Sequence, residues 1–537
     1  MKKVWANVNS IYQIYPRSFK DTDGDGVGDL RGIIEKIPYL KGGDKALGVD
    51  AIWLSPIFQS PQVDCGYDVS DYRQIDQLFG SMADMEELIE VAHRHEIKVM
   101  LDFVPNHSSV QHEWFDKSRR REPGFEDFYI WRDGREDGSL PNNWLSMAGG
   151  SVWEWDDVRG AYYLHTHDKT QADLNWQSPA VRETLGNEIR FWLDKGIDGF
   201  RVDAVWTMSK HPEFEDNPVN PHYFKDNQDY GSFINRNSKD GPELFSYLKE
   251  MTDILKEYDD RFMLLEYYPD SQLHDTMYRF IEMQHINPTV ASTFFFEPMQ
   301  LQWWSRQYQE RIDAAMGAIQ HTSRPLPVLG NHDQSRIASK YGLMQARELA
   351  VITLALPGIP VIYYGEEIGM HDQHFDHDYL KEGVTGAHNS YDGRDPARSP
   401  MRWNAFEKNA GFSDSDKPWL PIGGEVDGNN VNAQEDDSES TLSLYKRLLS
   451  LRREMPVFRL GTYQPLLPTE DEVMSFQVAD QMDTVYCLAN FSDRPETRTL
   501  PHAGTTLVST TGREINSRVG VEITLEPFEA VLVKEDR

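Results

Sequence analysis

DGFRVDAV, at residues 198–205, reads as a short apolar strand that ends in an acid. Phe200 and Val202 suit a buried sheet, whereas Asp203 suits the solvent-facing end of a strand rather than a core. Similar runs recur on both sides of it. IYQIY from Ile11, DAIWLS from Asp50 and KVMLDF from Lys98 precede it; FMLLE from Phe262, STFFF from Ser292, LPVLG from Leu326 and PVIYYG from Pro360 follow. Between them lie amphipathic stretches whose apolar residues recur at three- and four-residue spacing, such as MADMEELIEVAHRHE from Met82 and PAVRETLGNEIRFWLDKG from Pro179. PELFSYLKEMTDILKEY from Pro242 and QARELAVITLAL from Gln345 have the same pattern. This alternation predicts an α/β fold of the (β/α)8 TIM-barrel class, with its functional site at the C-terminal ends of the strands.

A bare barrel needs about 250 residues, and the chain has 537. The surplus is expected in three places. A segment rich in Trp, Gly and acids, residues 105–174, follows the third strand and is long enough for a subdomain. A polar stretch from about His371 to Thr441 follows the eighth. Beyond the helix STLSLYKRLLSLRREM, runs such as TVYCLANF and GVEITLEPFEAVLVKE alternate with period two and predict a small all-β unit. The expected partition is a barrel at 1–104 and 175–458, an inserted subdomain at 105–174 and a C-terminal β-sandwich at 459–537.

Charge narrows the function classes. Lys and Arg total 54 against 87 Asp and Glu, a formal net charge of −33, which disfavours nucleic acid and anionic membranes as partners. Two cysteines, Cys65 and Cys487, exclude a disulfide framework or a cysteine-held zinc. The start, MKKVWANVNSIYQ, lacks the continuous apolar core of a signal peptide. The longest apolar stretch is broken by Pro357, Gly358 and Pro360. A cytoplasmic protein, monomeric or weakly dimeric, is expected.

Three acids are expected at or just past different strand ends: Asp203, Glu266 closing FMLLEYYPD, and Asp333 in LGNHDQSR. Each could merely cap a helix or pair with an arginine, but three converging on one barrel mouth favour chemistry. Carboxylates gathered there repel, so one should hold a proton while the others stay ionised, the division of labour a glycosidase needs. Asp102 and His107 in DFVPNH, Arg201 and His332 surround them and supply groups for sugar hydroxyls. No HExxH motif points to a catalytic metal. Separately, DTDGDGVGDL places Asp21, Asp23, Asp25 and Asp29 at positions one, three, five and nine of an EF-hand-like spacing, with Gly26 at the sharp turn and Gly32 where a twelfth-position glutamate would stand. Hard oxygen ligands favour Ca²⁺, with Mg²⁺ as the alternative; a solvated acidic turn is the competing reading.

Taken in order, YQIYPRSF, GVDAIWLSP, GYDVSDY, DFVPNH, QADLNW, GFRVDAV, LGNHDQSR, GIPVIYYGEEIGM and RDPARSPMRW span nearly the whole chain. The sequence resembles the α-amylase family of retaining glycoside hydrolases, and within it the α-glucosidase and oligo-1,6-glucosidase group. The resemblance implies Asp203 as nucleophile, Glu266 as general acid/base and Asp333 as transition-state-stabilising carboxylate. It implies that Asp102, His107, Arg201 and His332 surround the innermost sugar, that Tyr67 forms a platform under it, and that Asp64 with Arg398 grips its non-reducing end. It further implies a structural calcium on the acidic loop with the Val27 carbonyl as an added ligand. Leu265 stands where the family has glycine, which predicts a crowded strand end, and Ala172 where it has proline. The small Ala204 after Asp203 points to α-1,4 linkages. The expected function is an exo-acting retaining α-glucosidase for short oligosaccharides, with sugar or alcohol acceptors in transfer. A sucrose- or trehalose-directed isomerase and a catalytically silent sugar-binding relative are the alternatives.

Overall fold

The computed structural model describes residues 5, 7–223, 229–268, 275–319, 323–375, 393–424, 426–466 and 472–536. Its centre is a parallel barrel of β1 (Ile11–Ile14), β2 (Ala51–Leu54), β3 (Lys98–Phe103), β4 (Gly199–Val202), β5 (Phe262–Leu265), β6 (Ala291–Phe295), β7 (Leu326–Pro327) and β8 (Val361–Tyr363). The strands pair in chain order, β8 returns to β1 through Ile11 opposite Val361, and a parallel bridge from Val328 to Val361 closes the ring. β7 is shorter than LPVLG predicts because Pro327 has no N–H to extend the ladder.

The outer layer contains α1 (Leu30–Leu40), α2 (Met82–Arg94), α3 (Pro179–Asp194), α4 (Leu244–Asp253), α5 (Thr276–Met283), α6 (Ser305–Ile319), α7 (Leu343–Ala355) and α8 (Thr441–Glu454). Local signals start several of them. Ser81 and Asp84 form a reciprocal capping box on α2, Asp29 accepts the Gly32 N–H at the head of α1, and Pro179 opens α3. The segment predicted as one helix from Pro242 ends its α-helical part at Asp253 and continues as a 3-10 turn, Ile254–Glu257.

Strand alternation makes the site. Phe200, Val202, Met263 and Leu265 face the helices, in the large cluster between sheet and outer layer. Trp53, Met100, Phe262 and Leu264 fill the barrel interior with Ile11 and Phe294. One period further along, the inward row changes from apolar to polar: Met100 gives way to Asp102, Gly199 to Arg201 and then Asp203, Leu264 to Glu266. Gly199 is required at its place, since a Cβ there would sit 2.1 Å from the Phe262 carbonyl oxygen.

After β3 the chain forms a three-stranded antiparallel sheet from Trp131–Arg132, Ala161–Leu164 and Trp153–Asp156, with a small core of Ile130, Trp144, Val152, Trp153 and Leu164. It returns through Gln171–Asp173, which pairs antiparallel with His107–Ser109. The C-terminal part is a six-stranded sheet and a two-stranded sheet. Tyr486, Leu488 and Val531 of the larger pack against Ile523 and Leu525 of the smaller, as in a sandwich. Of the polar stretch after β8, residues 376–392 and 425 lie outside the described residues. Among the described residues, no helix is long and apolar enough to cross a membrane.

Candidate active site

Asp203 and Glu266 are the first residues past β4 and β5, and both are held by the barrel's own ladder. The Asp203 N–H donates to the Phe103 carbonyl and the Glu266 N–H to the Val202 carbonyl, each at 2.9 Å. Arg201 lies opposite Asp102 in register. Its buried guanidinium donates from Nη1 to Asp102 Oδ1 at 2.8 Å and Asp203 Oδ1 at 2.7 Å, and from Nη2 to Glu266 Oε1 at 2.7 Å. The Trp53 and Tyr67 rings flank it at 5.2 and 5.6 Å. Ala204 takes a left-handed conformation, φ 42° and ψ 43°, and its N–H donates to Glu266 Oε2 at 2.9 Å. That backbone state costs a β-carbon residue about 1–3 kcal/mol; here it aims the amide at Glu266. The crowding predicted from Leu265 is absent, because alternation turns that side chain outward into the sheet–helix core.

One positive charge therefore faces three carboxylates. Burial pushes the Asp102 carboxyl up to about 6, against the pull of Arg201 and with a further push from Glu266. Burial likewise raises Asp203 well above the usual range, opposed by Arg201 and reinforced by Glu266, Asp102 and Asp333. Glu266 is raised by burial, opposed by Arg201 and reinforced by Asp333. Burial thus favours the protonated forms of these three acids and Arg201 their ionised forms. Asp333 behaves oppositely: against its burial, the Arg394 and Arg398 guanidiniums hold its carboxyl far below the usual range. Arg394 Nη1 and Arg398 Nη2 reach its Oδ1 at 2.9 and 3.0 Å.

A neutral relay frames the floor. The Gln13 side-chain amide donates to His332 Nδ1 at 2.9 Å, which leaves the ring hydrogen on Nε2, 2.7 Å from Tyr67 Oη. The Tyr67 hydroxyl then donates to Asp102 Oδ2 at 3.1 Å. Burial holds His332 well below its ordinary value, so it is uncharged. Tyr67 stacks on His332, ring centres 5.5 Å apart and 4° between planes.

On the far side, Asp64 Oδ1 pairs with Arg394 Nη2 at 2.6 Å, and its Oδ2 accepts from the Gln171 amide at 3.0 Å. Gln171 Nε2 is also 3.2 Å from His107 Nε2. Burial drives His107 down to about 3, so this ring too is neutral. The expected Asp64 partner, Arg398, is a correction. Arg398 ends the 3-10 turn Asp395–Arg398, is fully buried, and donates from Nε to the His332 carbonyl at 2.8 Å and to Asp333. Arg394, at the head of that turn, spans Asp64 and Asp333.

All the predicted sugar-site residues thus share one network: Asp203, Glu266, Asp333, Asp64, Tyr67, His107, Arg201, His332, Arg398 and Asp102. Sequence reasoning did not single out Gln13, Trp53, Gln171 or Arg394. A lone polar residue inside the apolar run IYQIY was the available signal for Gln13, and the leading residue of QADLNW for Gln171.

The acidic loop lies apart. Asp21, Asp23 and Asp29 offer oxygens within 4.8 Å of one another. Asp21 accepts the Gly24 and Gly26 amides, and its carboxylate also takes the Ser413 hydroxyl. Gly26, with φ +98°, packs against the Lys417 carbonyl, 2.3 Å from where a Cβ would stand. Asp25 is outside the group of three and accepts the Val27 N–H at 2.7 Å. Three converging hard oxygens fit Ca²⁺ or Mg²⁺.

Comparison with known proteins agrees with this geometry. The family model described as the alpha amylase catalytic domain matches residues 13–461. The oligo-1,6-glucosidase of Parageobacillus thermoglucosidasius is 36% identical over 93% of this chain and 93% of its own. Maltase 1 of Drosophila virilis is 35% identical over 99% of this chain and 87% of its own. Among solved structures, the alpha-glucosyl transfer enzyme XgtA superposes with a TM-score of 0.89 at 34% identity, covering 100% of both chains. The trehalulose synthase MutB from Pseudomonas mesoacidophila gives 0.85 at 33% identity over 99% of each.

Proposed function

Because this chain belongs to the α-amylase family, we propose that it is an exo-acting retaining α-glucosidase that removes terminal α-glucosyl units from short oligosaccharides. The observation that carries this reading is the division of charge at the mouth. Burial raises the acids on Arg201 toward their protonated forms, while a separate pair of arginines keeps Asp333 ionised. In the reaction a protonated Glu266 gives its proton to the glycosidic oxygen as Asp203 attacks the anomeric carbon. Glu266 then takes a proton from water, which attacks the same face, and the α configuration is kept. Both acids bond to the two terminal nitrogens of one guanidinium, a closeness that suits a nucleophile–acid pair. The bridge Asp64–Arg394 supports exo-action by closing the pocket beyond the terminal sugar, and the small Ala204 supports α-1,4 linkages.

An early-time proton NMR spectrum with maltose tests the reading: new glucose should carry an excess of the α anomer over the anomeric mixture that the reducing-end unit brings from maltose. An excess of the β anomer over that mixture would overturn retention. The likeness to a trehalulose synthase supports one second reading, a disaccharide isomerase. Sucrose would then return as another disaccharide rather than as glucose and fructose.

Since Arg394 bridges Asp64 and Asp333, Arg394→Ala should raise KM for maltose about ten-fold, the loss of roughly 1.4 kcal/mol of binding. Arg398→Ala, which leaves that bridge in place, should act mainly on kcat. Steady-state kinetics of the two variants separates these roles.

We also propose that Asp21, Asp23 and Asp29 hold a structural Ca²⁺, or Mg²⁺, with Asp25 and the Val27 carbonyl joining on binding. Such an ion supplies charge neutralisation and pins the loop to the segment that carries Ser413 and Lys417. Calcium should raise Tm by a few degrees and a chelator reverse it, while Asp21→Asn should lose the effect. A Tm indifferent to calcium would leave the loop as a solvated turn. The three-unit partition, a cytoplasmic location and a monomeric or weakly dimeric state complete the proposal.

A further inference from the structure

α7 lies between the barrel and the C-terminal sheet. It packs outward on strands Thr484–Asn490 and Ala530–Glu535, and from Glu348 to Ala355 every one of its residues is buried. Strand alternation divides that sheet. Tyr486, Leu488, Val531 and Val533 turn into the sandwich, whereas Cys487, with Leu532 opposite it in register, joins the core that covers α7. The run ELAVITLAL, residues 348–356, is apolar but for Thr353 and one acid, Glu348. Glu348 is fully buried, and neither of its carboxyl oxygens accepts a hydrogen bond.

No cation answers that acid: among the described residues Glu348 forms no ion pair. Arg347 donates instead to the Glu439 and Thr510 carbonyls at 3.0 and 3.3 Å, and Arg452 of α8 to the Leu354 and Leu356 carbonyls at 2.6 and 3.0 Å. Arg447 of α8 donates to the Leu507 carbonyl at 3.4 Å. Lys340, on the short helix Ile337–Tyr341, donates to the Met299 carbonyl, and Lys534 pairs with Asp483 at 2.7 Å. The titratable groups that feel its charge are the Cys487 thiol and the Tyr308 hydroxyl of α6, which meets Tyr341 at 3.5 Å; burial raises both, so they are neutral. Asp313 of α6 accepts from Gln309 and Tyr463, and Glu366 borders α7 on the barrel side at Ala350 and Thr353. An ionised carboxylate at Glu348 would face neither a counter-charge nor a donor, which is costlier than burying the neutral acid. Burial alone raises its carboxyl well above the usual range.

We propose that Glu348 is a pH-sensitive latch between the barrel and the C-terminal sheet, closed while the acid is neutral and weakened as alkali favours its ionised, water-exposed form. Local parting of the sheet from α7 returns Glu348 to water and to its ordinary range. Below that range the docked and parted states hold the same proton, and the latch keeps its full strength. Above it only the docked state keeps the proton, so parting releases one, and the opening constant rises about ten-fold per pH unit until the docked acid ionises. α7 connects the Asp333 segment to β8, which ties docking to the stretch of barrel that carries one of the acids at the mouth. The latch is independent of the reaction catalysed.

Cys487 reports the opening, because its thiol is buried in the same interface. The full-length protein is labelled with iodoacetamide between pH 6 and pH 8, and mass spectrometry of the Cys487 peptide separates it from Cys65. Each rate is divided by that of the chain unfolded in urea at the same pH, which removes the thiol's own ionisation. In wild type, protection of Cys487 should fall about 100-fold from pH 6 to pH 8. Glu348→Gln, neutral and of the same shape, should keep its protection constant, and Glu348→Leu serves if that variant fails to fold. Thermal unfolding is the second readout: the Tm of the neutral variant relative to wild type should rise from pH 5 to pH 8. Protection that is flat with pH in wild type, or that falls equally in the neutral variants, would overturn the latch, as would a Tm difference that does not change with pH.

Discussion

Asp203→Asn is expected to lower kcat for maltose by at least about 10⁴-fold, equivalent to about 5.4 kcal/mol of barrier, while the protein stays folded. The activity loss follows from removing the carboxylate that both ends β4 and shares Arg201 with Glu266. The fold should survive for an electrostatic reason. A carboxyl whose folded-state value is raised stabilises the fold below its unfolded value and forfeits that stability as pH rises through the folded value. Burial and the neighbouring acids raise Asp203 in this way, so its ionised form is a cost near neutral pH. An amide relieves that cost, and Arg201 still has Asp102 and Glu266 as partners. Calorimetry at pH 7 should therefore give a Tm no lower than wild type. A variant with ordinary turnover would remove Asp203 from the nucleophile's role; an inactive variant with a sharply lowered Tm would mean that the carboxylate holds the barrel mouth together.

The sequence shows the acids more readily than the groups that tune them. KVMLDF matches β3 residue for residue, because an apolar run carrying an acid near its end can be read without tertiary information. Asp203 and Glu266 were visible for the same reason, each following an apolar strand by one position. Two features were not. Arg394 and Arg398 lie four residues apart in RDPARS, and composition cannot say which reaches Asp64; a single 3-10 turn decides it, burying Arg398 against the His332 carbonyl. Leu265 looked like an obstruction because its inward or outward facing depends on the register of β5, which the ladder to β4 fixes.

Arg201→Met should combine loss of activity with loss of stability, because it leaves Asp102, Asp203 and Glu266 buried without their shared cation. Breaking a buried ion pair by removing one partner costs about 3–5 kcal/mol, and Met roughly preserves the side chain's length and its packing against Trp53. The deficit must depend on pH. In the wild type Asp102 is already raised to about 6 by burial, with Arg201 pulling it down. Without that pull, all three acids hold protons to higher pH. Protonated, they need no counter-charge, so the variant should be nearest wild type in stability at about pH 4–5. It should fall behind as pH climbs through and beyond about 6, the reverse of ordinary acid denaturation. Thermal unfolding of both proteins at a series of pH values reads this directly. A stability gap that is constant across the range, or that widens toward acid, would show that Arg201 acts by packing rather than by charge. Residual activity should move the same way, its acid limb shifted to higher pH, because Asp203 must lose its proton before it can attack.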